Sequence, residues 1–564
     1  MRTKIDDLFL SESGSAIDRL GSVATSALIP FLKAWWPGHP IPQEADIKRL
    51  RGWVEANVSG RTSVEYAWLS EFLGRIAATW RFNTRNFINI HPSPMVPPLL
   101  AGLAVTIQNP NNVVSEVSGP TTEMEKECIE FIARDVLKYP DPANAWGHVV
   151  SGGTVGNMTA LLVARDYTYH KLARPRVDEV GARGVISRKP GVVLSTAAAH
   201  YSLKKALWFL GIGYENLIQV PVAWDEAVEE AGPREERFLT GITNEKWGKL
   251  VREAYRHDRD VGIEELRKFY AGEQCPFSLQ PLGCFFFKHL YSCFEFNTPL
   301  LAVVLSLGTT HTGTVERIHS DAINHLKEED IYVHLDGAFG GFALASDKVR
   351  SLVGDLAMAD SVTLDGHKLG FLPYPCGTVV FRDRGLYHQL EQDAPYLDGL
   401  EPTLEGSRPG SHVATLWAAI QTLGVPGWSD LIDRLLTFTT KLTAALSDCG
   451  DFQILHKVDL NAVAFTPKPR GNESRRQLNS LCAKLKERVN REGRFVVNFD
   501  KSVSGVKVRE SGRLLDLESP IVDLKAVRIV VSNPLVQDAD SAALVDTLCR
   551  QLHEIRRDGQ GRSG

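Results

Sequence analysis

The amino-acid sequence predicts an α/β protein with a mostly parallel central sheet and helices on both of its faces. Two observations lead to this fold class. Short apolar runs alternate with segments of helical periodicity through the middle of the 564-residue chain. The apolar runs are nearly continuous, as in strands that are buried on both faces of a sheet. The strand candidates are Gly191–Thr196, Leu217–Val222, Leu301–Gly308, Ile331–Asp336, Ser361–Asp365 and Gly377–Asp383.

An N-terminal helical segment precedes this core. Ala45–Val58 and Ser63–Trp80 have helical spacing of apolar residues. The proline-rich stretch His91–Pro98 predicts a turn, because proline cannot occupy a helix interior. We therefore interpret residues 1–105 as a helical segment. Its apolar helices need a surface to bury, which dimerisation would supply.

The large domain is predicted over residues 106–424. Near its start, Thr121 and Thr122 precede Glu125 and a long run of apolar periodicity. This order is typical of a helix whose first turn is capped by side chains. We therefore expect a capped helix to begin there.

A small C-terminal α+β domain is predicted over residues 425–564. Phe452–Pro467 has the pattern of a hairpin, and Val527–Asn533 that of a strand. Arg475–Arg491 and Ser541–Arg556 have helical spacing.

The composition of the chain limits which classes of binding partner and which cellular location we expect. The 63 basic and 68 acidic residues give a net charge of −5, so we expect neither nucleic-acid nor membrane binding. Eight cysteines without a CxxC pair indicate reduced thiols, which suits a cytoplasmic protein. The N-terminus lacks the apolar core of a secretory signal, and the apolar stretches are too short to span a bilayer.

Four local motifs suggest chemistry at the strand ends. The first is Ser151–Asn157 (SGGTVGN), whose small residues precede a helix. Backbone N–H groups and the helix dipole favour a phosphate at such a position. A plain glycine-rich turn is the alternative, and a Walker motif is absent.

Two further motifs hold single polar residues after predicted strands. His200 follows one strand, where it could stack on a planar ring or serve as an ordinary polar loop residue. Asp336 follows another, where burial demands a partner. A pyridinium N–H would be one such partner, and a helix cap or a salt bridge are the alternatives.

The fourth motif is Thr363–Gly370 (TLDGHKLG), in which Lys368 lies 32 residues after Asp336. A lysine at a buried sheet end is a candidate Schiff-base nucleophile. An exposed loop lysine is the alternative. The order of phosphate loop, histidine, aspartate and lysine favours a pyridoxal phosphate (PLP) site.

With these motifs in place, the chain resembles the group II pyridoxal-dependent amino-acid decarboxylases, and most closely the bacterial tyrosine decarboxylases. The resemblance extends from Pro92 to Ala419. Its landmarks are Gln108–Glu125, Trp146–Asn157, Val333–Gly341 (VHLDGAFGG), Asp365–Val380 (DGHKLGFLPYPCGTVV) and Glu405–Ala419.

The resemblance implies the fold-type I architecture of PLP enzymes, a homodimer and a role for each matching residue. Lys368 matches the lysine that binds PLP covalently, and Asp336 the partner of the pyridine nitrogen. His200 matches the histidine stacked on the ring, and His91 a histidine on the substrate side. The remaining cofactor-binding residues that it implies are Gly153, Thr154, Asn157, Thr310, Ala338 and His367.

The chain departs from the family pattern in two places. The segment 384–406, where the family has a mobile loop with a proton-donating tyrosine, is short. Tyr396 is the candidate donor and Tyr387 the second. The segment Tyr270–Phe296 is an insertion with three cysteines at nine-residue spacing. This spacing fits no usual zinc pattern, so we predict no metal site and interpret the insertion as an aromatic flap.

The predicted activity is PLP-dependent decarboxylation of an L-amino acid to its amine, and the resemblance implies an aromatic, tyrosine-like substrate. Electron withdrawal into the cofactor would break the Cα–carboxylate bond. An aldehyde-forming enzyme or a carbon–carbon lyase on the same fold is the alternative. A non-catalytic subunit ranks last, since Lys368 and Asp336 are both present.

Overall fold

The computed structural model describes the chain over residues 15–59, 68–171, 191–196, 198–220, 299–316, 326–328, 330–354, 356–390, 403–471, 473–500, 507–509, 521–523 and 525–560. The chain forms two compact units. The first consists of the described residues of 1–89, 483–498 and 535–564, and the second of those of 90–482 and 499–534. The division at residues 105 and 424 that composition suggests stays a prediction.

The described α-helices are α1 (Ser15–Val23), α2 (Ile29–Trp35), α3 (Glu44–Asn57), α4 (Leu69–Ile76), α5 (Val96–Gln108), α6 (Ser115–Ser118), α7 (Thr121–Phe131), α8 (Gly153–Lys171), α9 (Ser202–Phe209), α10 (Asp347–Val353), α11 (Gly410–Asp448), α12 (Arg475–Glu492) and α13 (Asp538–Gln560). π-Helical turns follow α1 and α7 at Ala24–Leu28 and Ile132–Val136. Helix α11 is kinked at Gly424, where φ is 53°.

The described strands are β1 (Asn86–Phe87), β2 (Trp146–Val150), β3 (Val192–Thr196), β4 (Leu217–Val220), β5 (Leu300–Ser306), β6 (Val333–Gly337), β7 (Ser361–Asp365), β8 (Gly377–Phe381), β9 (Phe452–Ile454), β10 (Ala462–Pro467), β11 (Val496–Asp500), β12 (Lys507–Arg509), β13 (Ile521–Asp523) and β14 (Ala526–Val530).

The first unit has its own apolar core, formed by one face of each N-terminal helix. Helix α3 confirms the predicted helix at Ala45–Val58. Helix α4 is shorter than the predicted Ser63–Trp80, part of which lies outside the described residues. In the same unit, β1 pairs in parallel with β11. The core side chains include Phe31, Leu50, Val54, Leu69 and Leu73.

The second unit is built on a seven-stranded sheet in the order β2-β8-β7-β6-β5-β3-β4. Strands β4, β3, β5, β6 and β7 run parallel, whereas β8 is antiparallel to both of its neighbours. Every residue of β6, β7 and β8 is buried, so both faces of the sheet are covered there. Helix α8 packs across β5, β6, β7 and β8. The mostly parallel sheet predicted from the apolar runs is therefore confirmed.

The six predicted strands correspond to β3 through β8, and the end of Leu217–Val222 lies outside the described residues. Strand β2 was not predicted. Its five residues include Gly147 and lead directly into a glycine-rich loop, so the apolar run is too short to stand out. Its burial comes from pairing with β8, which only the folded chain supplies.

Two local expectations need correction. Helix α7 begins at Thr121 as predicted, but no side chain caps its first turn. Thr121 instead donates to Asn112 Oδ1 at 2.9 Å, and Glu125 pairs with a distant arginine. The proline-rich turn ends at Met95, because Pro97 and Pro98 lie in the first turn of α5. Proline is tolerated there, since the first backbone N–H groups of a helix have no partner within it.

The C-terminal predictions hold for the described residues. Strand β10 pairs antiparallel with β9, which confirms the hairpin, and with β14 on its other side. Helices α12 and α13 occupy the two predicted helical segments. Among the helices described, none combines the length and the apolar character needed to cross a bilayer.

Candidate active site

The carboxyl ends of the strands bring the predicted residues to one edge of the seven-stranded sheet. Asp336 lies near the end of β6, and Asp365 ends the neighbouring β7. Strand β2 ends at the same edge, because Val150 and Asp365 both pair with Gly377 of β8. Ligands of open α/β sheets bind at this edge.

Lys368 lies just beyond β7 with its amine against a carboxylate. Lys368 Nζ is 2.9 Å from Asp365 Oδ2, and the lysine side chain is only 15% exposed. Burial opposes the charge of the ammonium group, but Asp365 outweighs it and raises the pKa of Lys368. Lys368 is thus buried and not an exposed loop lysine, and the Asp365 carboxylate stabilises its protonated form.

Asp336 is buried and its described partners are neutral. Oδ2 accepts a hydrogen bond from Asn157 Nδ2 at 2.9 Å, and Oδ1 accepts one from the Ala338 N–H at 3.2 Å. No lysine or arginine of the described chain forms a salt bridge with Asp336, which is 6% exposed. A buried carboxylate is costly without a cationic partner. The site is thus prepared for a cationic N–H group of a ligand.

The glycine-rich loop packs tightly between these carboxylates and helix α8. A Cβ atom at Gly153 would lie 2.7 Å from Ala338 Cβ and 2.9 Å from Asp365 Oδ2. Only glycine fits there without displacing a neighbour. Gly153 begins α8 and Thr154 follows it half-buried, with no acidic residue in the first turn. The positive end of the helix dipole is therefore left for an anion.

His200 and Asn157 join the same cluster. Asn157 Nδ2 lies 2.9 Å from Ser202 Oγ as well as from Asp336, and His200 Nδ1 lies 2.9 Å from the same Ser202 Oγ. Burial lowers the pKa of His200, against the opposing effect of Asp336. His200 is therefore neutral near pH 7 and lies one hydroxyl and one amide away from Asp336.

His367 and His91 both lie beside an aromatic ring that the sequence prediction overlooked. The Tyr374 ring centroid is 4.0 Å from that of His367 and 6.0 Å from that of His91. His367 Nε2 is 3.4 Å from Asp365 Oδ2. Burial lowers the pKa of His91, and Lys368 lowers it further. Tyr374 belongs to the same sequence motif as Lys368, so it could have been proposed as a site residue from that motif.

Thr310 lies in the turn that follows β5. The hydroxyls of Thr309, Thr312 and Thr314 are buried and bond to one another at 2.8 Å. Thr310 is half-buried in the same turn, and His311 beside it acts electrostatically on His200. The turn therefore reaches the site edge, and His311 is a neighbour that the sequence prediction missed.

A buried ion pair also escaped prediction. Arg408 Nη2 donates to Glu125 Oε2 at 3.0 Å, and the two side chains are each 5% exposed. Glu125 Oε1 accepts from the Val149 N–H at 2.6 Å, and Arg408 donates to the Val149 carbonyl at 3.0 Å. The pair thus clamps the end of β2 just before the glycine-rich loop.

Asp365 was missed although its signal matched that of Asp336. Both are carboxylates that end a continuous apolar strand, and the same argument from burial applied to each. Tyr396, the side chain of Tyr387, and Cys275, Cys284 and Cys293 lie outside the described residues. In the part of the chain that is described, no cluster of acidic, histidine or cysteine side chains could hold a metal ion.

Comparison with known proteins indicates the class of enzyme. Residues 294–468 match the family model of the pyridoxal-dependent decarboxylase conserved domain, a span that includes Asp336 and Lys368. The chain is 27% identical to a tryptophan decarboxylase of Clostridium sporogenes over 61% of this chain and 69% of that protein. It is 25% identical to an L-tyrosine decarboxylase of Enterococcus faecalis over 71% and 70% of the two chains.

Solved structures share the fold at lower identity. Mouse CSAD aligns with a TM-score of 0.67 and 18% identity over 95% of this chain and 97% of that one. Oryza sativa TDC, determined with PLP and tryptamine, aligns with a TM-score of 0.65 and 16% identity over 98% and 99%. These likenesses show the fold-type I architecture.

The residues at the sheet edge fit PLP. An amine, a buried carboxylate whose described hydrogen-bond donors are neutral, and a helix N-terminus at a glycine suit the aldehyde, the pyridine nitrogen and the phosphate of this cofactor. The fit, the family model and the relatives agree on a PLP-dependent carboxy-lyase. Residues 294–468 thus match a pyridoxal-dependent decarboxylase domain, and the chain is similar to amino-acid decarboxylases over more than half of its length.

Proposed function

We propose that the protein decarboxylates an aromatic L-amino acid to the corresponding amine, as a cytoplasmic homodimer. The observation that carries the proposal is the buried Asp336, whose described partners are neutral, one strand away from the Lys368–Asp365 pair. An acidic partner for the ring nitrogen and a lysine that can bind the aldehyde are the two protein groups that PLP chemistry uses.

Each residue of the site then has its own role in this reaction. Bound PLP accepts the electron pair of the breaking Cα–carboxylate bond. In the PLP-loaded protein Asp336 would keep the proton on the ring nitrogen, and Lys368 Nζ would hold the cofactor, with Asp365 Oδ2 beside it to accept its proton. Gly153 and Thr154 at the N-terminus of α8 would hold the phosphate. His200 would pack against the ring, and the small side chain of Ala338 would leave space for it.

An aromatic substrate is supported by two observations. The Tyr374 ring is 68% exposed and lies beside His367 and His91, next to the Lys368 amine. An exposed aromatic ring at the mouth of a site offers a surface on which a second ring can stack. Relatives include decarboxylases named for tyrosine and for tryptophan, and others named for both tyrosine and aspartate.

The test is a substrate screen on the PLP-loaded protein with the common L-amino acids. Carbon dioxide, amine, aldehyde and hydrogen peroxide are measured in parallel. We expect tyrosine, tryptophan or phenylalanine to give carbon dioxide and amine in equal amounts. Turnover of aspartate but of no aromatic amino acid would overturn the aromatic assignment. Aldehyde with peroxide in place of amine would assign the alternative reaction, and no carbon dioxide from any amino acid would refute decarboxylation.

Tyr396 is the proposed donor of the proton that Cα receives after carbon dioxide leaves. Loss of the phenol should leave carbon dioxide release intact but lower the yield of amine, because only the second step needs a positioned acid. The measurement is the ratio of amine to carbon dioxide in Tyr396→Phe, with Tyr387→Phe as the matched variant. An unchanged ratio in Tyr396→Phe together with a lowered one in Tyr387→Phe would transfer the role to Tyr387.

A homodimer is supported by an apolar stripe on helix α5. Val96, Leu99, Leu100 and Leu103 are spaced to lie on one face, and they are 43–64% exposed. Such a face is normally covered by another chain.

A cytoplasmic location is supported by Cys128, Cys376, Cys449 and Cys482, which are all thiols.

A further inference from the structure

A chain of hydrogen bonds joins five buried polar residues behind the active site. Tyr332 OH donates to Ser361 Oγ at 2.9 Å, and Ser361 Oγ lies 2.8 Å from His334 Nδ1. His334 Nε2 lies 3.0 Å from Asn157 Oδ1, and Asn157 Nδ2 lies 2.9 Å from Asp336 Oδ2. The chain therefore leads from the sheet interior to the carboxylate that we assign to the ring nitrogen.

The strand register explains how these residues meet. His334 and Asp336 are two residues apart on β6 and so point to the same face of the sheet. Ser361 lies directly opposite His334 on β7. Asn157 belongs to α8, the helix that packs across these strands.

The direction of each hydrogen bond follows from the ionised carboxylate. A carboxylate only accepts, so Asn157 must present Nδ2 to Asp336 and Oδ1 to His334. His334 must then carry its proton on Nε2. Burial lowers the pKa of His334 to about 4, so the ring is neutral and Nδ1 accepts from Ser361.

The Asn157 amide also determines which ring nitrogen of His200 carries the proton. The other N–H of Asn157 Nδ2 points to Ser202 Oγ at 2.9 Å, which leaves the Ser202 hydroxyl proton for His200 Nδ1. The Ser202 backbone N–H also faces His200 Nδ1, at 3.3 Å. His200 therefore carries its proton on Nε2.

We propose that His334 is a positioning residue that acts through Asn157. It holds the amide in the one orientation that donates to both Asp336 and Ser202. In the flipped orientation, Asn157 Oδ1 would face the Asp336 carboxylate and repel it. The inference rests on the proposed role of Asp336 and adds a residue that does not touch the cofactor.

The experiment measures cofactor binding rather than activity. Apo-protein is titrated with PLP and with the PLP analogue in which a C–H group replaces the ring nitrogen. The wild type should bind PLP more tightly, because only PLP can pair with Asp336. In His334→Leu, the ratio of the two dissociation constants should fall on the order of tenfold, the effect of one lost charge-assisted hydrogen bond.

Two further variants separate positioning from packing. His334→Gln can still donate an N–H to Asn157 Oδ1 and should restore most of the ratio. His148→Leu is the matched control, because His148 is a buried histidine on β2 whose Nε2 has no hydrogen-bond partner among the described residues. It should leave the ratio unchanged. Should His334→Leu fail to fold, Ser361→Ala removes only the donor to His334 Nδ1 and should lower the ratio less.

The outcomes distinguish the inference from the function it rests on. If the wild type binds PLP and the analogue equally, Asp336 does not pair with the ring nitrogen, and both proposals fail. If the wild type discriminates but His334→Leu or Ser361→Ala discriminates as strongly, the role of His334 is refuted while that of Asp336 stands. Equal losses of affinity for both ligands would reduce His334 to a packing residue.

Discussion

Two aspartates at neighbouring strand ends show how surroundings assign different roles to the same residue type. Asp365 faces the Lys368 ammonium group at 2.9 Å, whereas the described donors to Asp336 are an amide and a backbone N–H. We therefore assign Asp365 to accept the proton that Lys368 must lose before it binds the cofactor. We assign Asp336 to stabilise the proton that stays on the ring nitrogen of the cofactor. The difference arises from their neighbours and not from burial, since both are almost fully buried.

Replacement of the Asp336 carboxylate tests this assignment. We expect Asp336→Asn to keep bound PLP but to lose about 2–4 kcal/mol of transition-state stabilisation, because the ring nitrogen loses a charged partner. The cofactor absorbance and the rate of carbon dioxide release are measured on the same sample. Asp430→Asn, an exposed position on α11, serves as the control. Near-normal turnover in the PLP-loaded variant would contradict the role.

The buried His334 should make stability depend on pH. Its pKa is about 4 in the folded chain, against an ordinary value of 6.5, chiefly because of burial. The unfolded chain thus binds more protons between these values, and stability falls as the pH falls. From pH 7 to pH 5 the loss for this group is about 2 kcal/mol.

Other histidines titrate in the same range, so the measurement is a difference between variants. Urea unfolding of the apo-protein and of His334→Gln at both pH values isolates the contribution of His334. The wild type should lose more free energy of unfolding than the variant between pH 7 and pH 5. An identical loss in both proteins would show that His334 does not titrate as its burial requires.

The first turn of helix α8 is tightly packed against the ends of β6 and β7. Gly153 contacts Ala338 after β6 and Asp365 of β7, and the Glu125–Arg408 pair holds the strand just ahead of it. A buried ion pair is expensive to break from one side. The loop therefore has little freedom to move away from an added side-chain atom.

We expect Gly153→Ala to lower the affinity for PLP at least tenfold, because the methyl group would displace the helix N-terminus or Asp365. The dissociation constant of PLP is measured by titration of the apo-protein. Gly74→Ala on α4 is the matched control, since a Cβ atom there meets no atom within 4 Å. That control should bind PLP normally and gain a little stability from its higher helix propensity. Unchanged PLP affinity in Gly153→Ala would place the phosphate elsewhere.

Among the described residues of the molecule, helix α5 presents an exposed apolar stripe that a single chain leaves uncovered. A double variant, Leu100→Lys with Leu103→Lys, introduces two charges into this face. We expect light scattering to show a dimer for the wild type and a monomer for the variant, with a lower specific activity. Leu535→Lys, at a leucine that is 65% exposed on the other unit, should stay dimeric. A wild-type monomer with full activity would refute the homodimer.

The amino-acid sequence alone was sufficient to predict the fold class and the positions along the chain of the apolar runs that form the central strands. Continuous apolar runs report burial on both faces, and that is a property of the sheet as a whole. Lys368, Asp336, His200 and Gly153 could be proposed because each follows or precedes a recognisable strand or helix. Their local sequence contained the chemistry, and the parallel sheet then brought the strand ends to one edge.

Only the tertiary structure decided which partners these residues have. Arg408 and Glu125 are 283 positions apart, and Asn157 and Asp336 are 179 apart. Hydrogen bonds depend on atomic distances and angles that strand register and helix packing impose. These distances and angles cannot be predicted from the periodicity of the sequence. Burial can be predicted from the pattern of apolar residues, but the pairing of the buried polar groups emerges only when distant segments are packed together.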